Sequence, residues 1–191
     1  MAGDGGGRAA RSRRHDPQRR DRIVAACLEV IAEHGVAGTS HRRVAAAADV
    51  PLGSMTYHFS GMDELLRAAF GRFASSVAER FERRLAAAAT AADARQAVAS
   101  IIVGEVFGSR RDLVLTHELY TLAAREPAFR AVTNAWMRRS RAALERHFDT
   151  TTALMLDALI EGLTIHEALG TQPRDPALVR LAVDRLAGQP E

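Results

Sequence analysis

Between residues 62 and 88 the apolar side chains Leu66, Phe70, Phe73, Val77, Phe81 and Leu85 recur at steps of three and four, never two. That spacing stacks them on one face of an α-helix, whereas a half-buried strand requires alternation. A helix over Met62–Ala88 is about 40 Å long at 1.5 Å per residue, enough to join two lobes. No other segment alternates at strand length, and no repeat is found. Composition agrees. Alanine fills 37 of 191 positions against ten aromatic residues, and all 26 basic residues are arginine. Alanine and arginine are strong helix formers, while β-branched and aromatic residues lead in strands. With 47% apolar residues the chain is too hydrophobic to be disordered. The reading is all-α, with about nine helices.

No apolar run reaches the roughly 18 to 20 residues of a membrane-spanning helix, and the basic N-terminus lacks the apolar core of a secretory signal. One cysteine, Cys27, excludes an internal disulfide framework. A cytoplasmic protein without membrane attachment is expected.

Residues 1–16 hold four glycines and no periodicity and are read as a flexible basic arm. Pro17 opens a helix whose face is Ile23, Cys27, Val30, Ile31 and His34, stopped by Gly35. Thr39 or Ser40 caps a short helix, His41–Ala48, with Val44, Ala45 and Ala48 inward. Pro51 lacks an amide hydrogen and disfavours helical geometry at Val50, so residues 49–53 form a tight turn. A second short helix, Leu52–Phe59, turns Met55 and Phe59 inward and Ser54, Thr56, Tyr57 and His58 outward or sideways. Ser60-Gly61 precedes the long helix. Further helices are expected at about 93–108, 110–125, 127–147, 151–169 and 175–187. The expected domains are 17–61 and 62–187, with a tail at 188–191.

The net charge of +3 is not evenly spread. Residues 1–60 hold nine arginines against six acids, and residues 61–191 hold 17 of each. A localised basic end suits a polyanion, because each arginine set against a phosphate releases condensed counterions. Two short helices across a tight turn, with a covering helix before them, have the geometry of a helix-turn-helix, whose second helix enters the major groove.

Residues 19–70 resemble the DNA-binding domain of the TetR family of transcriptional regulators. The residues that carry the resemblance are Arg22-Ile23-Val24-Ala25-Ala26, Gly35, Thr39-Ser40, Val44-Ala45, Val50 through Phe59, and Asp63-Glu64-Leu65-Leu66. The rest of the chain has the helix number and length of that family's ligand-binding and dimerisation domain. The resemblance puts Ser40, Arg42, Leu52, Ser54, Thr56, Tyr57 and His58 near DNA, with Arg19, Arg20 and Arg43 as further phosphate contacts. There are departures. Asp49 stands where a small residue, usually glycine, is expected, Met62 where a phosphate-contacting lysine is expected, and Thr56 where an aromatic is common. The resemblance implies a ligand-responsive regulator, more often a repressor, acting as a homodimer on a palindromic operator in double-stranded DNA and answering to a small organic effector.

Phe107, Leu115, Leu119, Tyr120, Phe129, Trp136, Met137, Met155, Leu159 and His166 are candidates to line an effector cavity among the central helices. The last two helices are apolar on more than one face and need cover on both sides. The resemblance supplies that cover from the same helices of a second subunit, through Leu156, Ile160, Leu163, Leu178, Leu181 and Leu186. His117-Glu118 and His166-Glu167 do not continue into a His-Glu-x-x-His motif, so no metal or other cofactor is expected. Cys27 lies on an apolar face without a basic neighbour and reads as packing. No carboxylate pair, nucleophile with its base or phosphate loop supports catalysis. Two rivals remain: a helical small-molecule-binding protein with an incidental helix-turn-helix, and a non-specific DNA binder. Affinity that depends on DNA sequence separates both from the regulator.

Overall fold

The computed structural model describes residues 18–105, 109–171 and 175–188. The expected arm, Pro17, Phe107 and the end of the tail lie outside the described residues. Nine α-helices and no strands are found among those described. The chain divides into one unit ending at Ala69 and a second beginning at Phe70. The division falls two turns inside the long helix rather than before it, where the sequence suggested a domain boundary.

In the first unit, α1 (Arg19–His34) buries Ile23, Val24, Cys27, Leu28, Val30 and Ile31. Gly35 ends it at a φ of 69°, and its N–H donates to the Ile31 carbonyl at 2.8 Å. A side chain at Gly38 would collide with the His34 carbonyl, which leaves glycine as the residue that fits there. Burial pushes the Cys27 thiol up to about 12, so it stays protonated and inert.

Helix α2 (His41–Ala47) starts at Ser40, whose hydroxyl accepts from the Arg43 N–H at 3.3 Å. It ends in a paired closure: Val50 N–H donates to Ala45 O at 3.0 Å and Asp49 N–H to Ala46 O at 3.2 Å. This is the Schellman arrangement, which needs a left-handed residue after the helix. Asp49 supplies it at φ 50°. The glycine expected at this position is therefore a backbone requirement, one that aspartate tolerates better than most residues.

Helix α3 (Gly53–His58) is one residue shorter at each end than expected, because Phe59 is already extended (φ −139°) and Leu52 only precedes the first turn. Met55 and Phe59 are buried beneath it. Helix α4 (Met62–Ala86) is started by Glu64, whose carboxylate accepts both the Ser60 N–H and the Ser60 hydroxyl at 2.8 Å.

In the second unit, Phe70, Phe73, Val77, Phe81 and Leu85 of α4 are buried, as the stripe requires. Helix α5 (Ala91–Ser100) opens with a reciprocal Thr90–Asp93 capping box and runs into a π-helical stretch, Ile101–Glu105. The continuous helix expected over 93–108 thus begins two residues early and changes winding after Ser100. Helix α6 (Arg110–Arg125) is capped by Ser109, α7 (Pro127–Leu144) begins on proline, α8 (Thr150–Leu169) is capped by Asp149, and α9 (Pro176–Leu186) by Asp175. Helix α7 packs against α6 and α8, while α9 packs on α5 and α8. Edge-to-face rings tie α4 to α7 through Phe70–Phe129 at 6.1 Å and Phe73–Trp136 at 6.0 Å. Two ion pairs flank Phe81: Arg80–Asp112 at 2.6 Å and a two-pronged Arg139–Glu82 pair at 2.7 Å.

Candidate nucleic-acid interface and ligand cavity

The first unit presents the outer side of α3. Its anchors leave no choice of face: with Met55 at 1% and Phe59 at 2% exposure, Tyr57 is 85% and Leu52 51% exposed. Thr56 is also exposed, and its hydroxyl donates to the Gly53 carbonyl at 3.2 Å. Ser54 and His58 are half-buried, and the His58 ring meets Tyr57 edge-on at 4.9 Å. The expected contacts at the start of α2 cluster too, since Ser40, Arg42 and Arg43 are all exposed within its first turn. Ser40 serves as the cap, and Arg43 donates to the Gly38 carbonyl, which orients its guanidinium along the loop. Arg20 stacks over the Phe59 ring at 4.9 Å, a cation–π contact that ties α1 to the residue closing α3. Arg19 is half-buried.

The second unit contains a cavity lined by Phe81 of α4, Leu113, Thr116 and Tyr120 of α6, Trp136, Met137 and Ser140 of α7, and Asp157, Ile160, Glu161, Thr164 and Ile165 of α8. Tyr120, Trp136 and Met137 were expected there. Leu119 and Phe129 were too, but they are 0% and 1% exposed and outside the lining, as is Leu115. Leu119 follows from helix geometry, because one residue along α6 turns the side chain about 100° from Tyr120. Met155 is exposed, Leu159 half-buried and His166 exposed, all away from the cavity wall. The interface candidates also divide. Leu156 and Ile160 are buried within the single chain, Ile160 against the cavity, so the sequence reading that placed them at a subunit surface is corrected. Leu163 and Leu186 are half-buried, and Leu178 and Leu181 are exposed, as are Leu154 and Met155.

What the sequence reading missed is the polar part of the cavity. Asp157 accepts from Arg141 Nε at 2.8 Å, yet burial pushes its carboxyl up and Arg141 only partly offsets that. Burial likewise raises Glu161, which is hydrogen-bonded to the Tyr120 hydroxyl. Burial and the Glu161 charge in turn push the Tyr120 phenol well above its ordinary value. The pattern was legible in principle: Asp157, Glu161 and Thr164 stand at i, i+4 and i+7 on an otherwise apolar helix and share one face. About 40 Å³ of the cavity is open, against the roughly 300 to 1,000 Å³ of pockets for drug-sized ligands, so an organic guest must part the walls. Trp136 also lines a groove of about 310 Å³ on the far side, floored by Gly71, Ala74, Ala131 and Ala135. Met137, unbranched and adaptable, is a second side chain able to yield.

Two family models match the chain: "Bacterial regulatory proteins, tetR family" over residues 23–69, and "Tetracyclin repressor-like, C-terminal domain" over residues 89–189. The chain is 30% identical over 176 residues to the HTH-type transcriptional regulator BetI of Burkholderia mallei (strain NCTC 10229), covering 87% of this chain and 90% of that one. Among solved structures, the transcriptional regulator SCO7518 from Streptomyces coelicolor A3(2) is 56% identical with a TM-score of 0.84, over 91% of this chain and all of that one. The multidrug binding protein EbrR complexed with ethidium is 38% identical with a TM-score of 0.75, over 90% of this chain and 99% of that one.

Proposed function

The chain belongs to the tetR family of bacterial regulatory proteins, and from that membership we propose that it is a homodimeric repressor that leaves a palindromic operator when a small organic effector enters the Trp136 cavity. Its activity as a DNA-binding transcriptional regulator, and not an enzyme, follows from the family. The operator symmetry, the direction of control and the residues assigned to each task are our reading. The observation that carries it is the pairing, in one chain, of an anchored α3 that holds Leu52, Thr56 and Tyr57 in solvent with a cavity ringed by aromatic and acidic side chains.

On this reading Tyr57, Thr56 and Leu52 meet base edges, with Ser54 and His58 at the margin, while Arg42, Arg43, Arg19 and Arg20 meet phosphates. Exposed Leu154 and Met155 on α8 and Leu178 and Leu181 on α9 form the apolar surface covered by the same helices of a second copy. A twofold dimer then reads two half-sites about 34 Å apart. An effector that enters by displacing Trp136 toward its groove releases DNA only if it binds the released state more tightly. Helix α4 is the natural carrier of that change, because it belongs to both units and contributes Phe81 to the cavity. EbrR supports an organic effector, since it is known in complex with ethidium, proflavin and malachite green.

Selection of bound DNA from a random pool, followed by anisotropy titration at physiological salt, tests the reading. A twofold-symmetric consensus bound about 10³-fold or more over random DNA is expected. Affinity indifferent to sequence removes the specific regulator and leaves a general DNA binder.

A further inference from the structure

The polar groups on the α8 wall of the cavity are not equivalent. Asp157 is engaged by Arg141 at 2.8 Å, so its charge is already balanced. Glu161, one turn on, is hydrogen-bonded by the Tyr120 hydroxyl, and a neutral phenol leaves the carboxylate's charge in place. The charged groups that act on it are Asp157, which opposes its ionisation, and His117 and Arg141, which favour it. His117 is itself directed at the Leu113 carbonyl, 2.9 Å from Nδ1.

Thr164 is the sharper anomaly. It is 7% exposed, lines the cavity, and its hydroxyl has no hydrogen-bond partner. Buried threonines in helices ordinarily turn the hydroxyl back onto a carbonyl of the preceding turn. Elsewhere in this unit Thr116 does so to Asp112 O at 2.8 Å and Thr133 to Arg130 O at 3.0 Å. Thr164 departs from that habit in the one place where its hydroxyl borders a cavity. Three residues apart on a helix, Glu161 and Thr164 have Cβ atoms about 5 to 6 Å apart, a span one nitrogen bearing several hydrogens can bridge.

We propose that the cavity takes an organic cation carrying N–H groups, a protonated amine or amidinium on an apolar body, which donates to the Glu161 carboxylate and to Thr164 Oγ1 while its apolar part lies against Trp136 and Tyr120. The proposal rests on the reading of this cavity as the effector site, and adds the chemistry that selects the effector. A neutral ligand leaves the Glu161 charge unmatched, and a quaternary ammonium balances the charge but has no hydrogen for either oxygen.

Three probes of nearly one shape separate these cases: 2-naphthylmethylammonium, its N,N,N-trimethyl analogue and 2-naphthalenemethanol. Trp136 is the chain's single tryptophan and lines the cavity, so its fluorescence reports binding directly to the full-length protein. The unsubstituted ammonium is expected to bind roughly tenfold or more tighter than either comparison probe, as a charge-assisted hydrogen bond allows. Glu161→Gln is expected to abolish the preference for ammonium over alcohol. Thr164→Val, nearly the same shape, is expected to shrink the preference for ammonium over its trimethyl analogue while sparing the preference over alcohol. Equal affinity for the three probes, tighter binding of the trimethyl compound, or no binding of any of them overturns the proposal. The comparison on the unmodified protein stands even if a variant folds poorly. Ammonium binding that leaves DNA affinity unchanged keeps the proposed ligand chemistry and removes the effector reading, so the two fail separately.

Discussion

The two units treat polar side chains in opposite ways. In the DNA-reading unit they lie at the surface and are satisfied by near neighbours: Ser40 caps α2, Thr56 donates to Gly53, and Glu64 accepts twice from Ser60. The Ser60 bonds hold the Glu64 carboxyl below its usual range. Around the cavity, Asp157 and Glu161 are raised by burial, and Thr164 is left unpartnered. The linkage signs are opposite. Glu64 contributes stability that is lost as pH falls through its lowered pKa, whereas ionising Asp157 and Glu161 costs stability as pH rises through their raised ones. The lesson is a division of labour: the first unit uses its polar groups to hold a shape already complete, and the second holds polar groups in a state that a ligand completes.

The largest expected effect tests whether these units are separable. Phe59 is 2% exposed and carries the Arg20 guanidinium on its ring. Phe59→Ala leaves a cavity costing about 3 to 5 kcal/mol, most of what a small domain has. Specific DNA binding should vanish and protease sensitivity appear before Ala69, while probe binding reported by Trp136 persists. Parallel loss of probe binding would show that the contrast between the units is not one of independent stability.

This contrast also explains what the sequence disclosed. The reading unit was legible almost to the residue because its logic is local: one stretch from Val50 to Phe59 contains the turn, the anchors and the exposed face, and only the end residues of α3 moved. The cavity is assembled from four helices, and distance along the chain does not reveal convergence. Large aromatics such as Tyr120 and Trp136 stand out as candidates anywhere, but Leu119 cannot be told from Tyr120 until the rotation of α6 is known. Helix α8 was the hardest. Apolar nearly all round, it has no single dominant stripe, so Leu156 and Ile160 were given to a subunit surface and Met155 to the cavity, each on the wrong side of the helix. Its polar residues carried the answer, because an acid at i, i+4 and a hydroxyl at i+7 mark one face where leucines do not.

Next in size is a change confined to the reading face. Tyr57 is 85% exposed, so Tyr57→Ala should leave the melting temperature nearly unchanged. If its phenol meets a base edge, operator affinity falls by roughly 10- to 100-fold, in line with about 1 to 3 kcal/mol for a specific contact, while random-DNA affinity changes little. An equal loss on both DNAs would assign Tyr57 to the phosphate backbone. Smaller again, Ser40→Ala removes the α2 cap at a cost of about 1 kcal/mol, readable by urea titration of the full chain. A loss of operator affinity beyond that stability cost would show that the hydroxyl also meets DNA.

The smallest effect concerns Asp49, where the two demands on the reading unit meet. At φ 50° it occupies the left-handed position of the closure after α2, a conformation glycine adopts freely and aspartate at some cost. It also sets an acid in the turn before α3, inside the part of the chain that holds the excess of arginine. Asp49→Gly removes strain and charge together and should add about 0.5 kcal/mol of stability, the relief of strain slightly outweighing the greater entropy of glycine in the unfolded chain. Asp49→Asn keeps the side-chain shape and its tolerance of this backbone but drops the charge. If the acid repels phosphates, both variants bind DNA more tightly, and the gain shrinks as salt is raised. If only glycine helps, the departure at this position is a matter of backbone geometry. A glycine variant no more stable than the parent would show that the turn is unstrained, and the aspartate would then be at home in a place the family usually reserves for glycine.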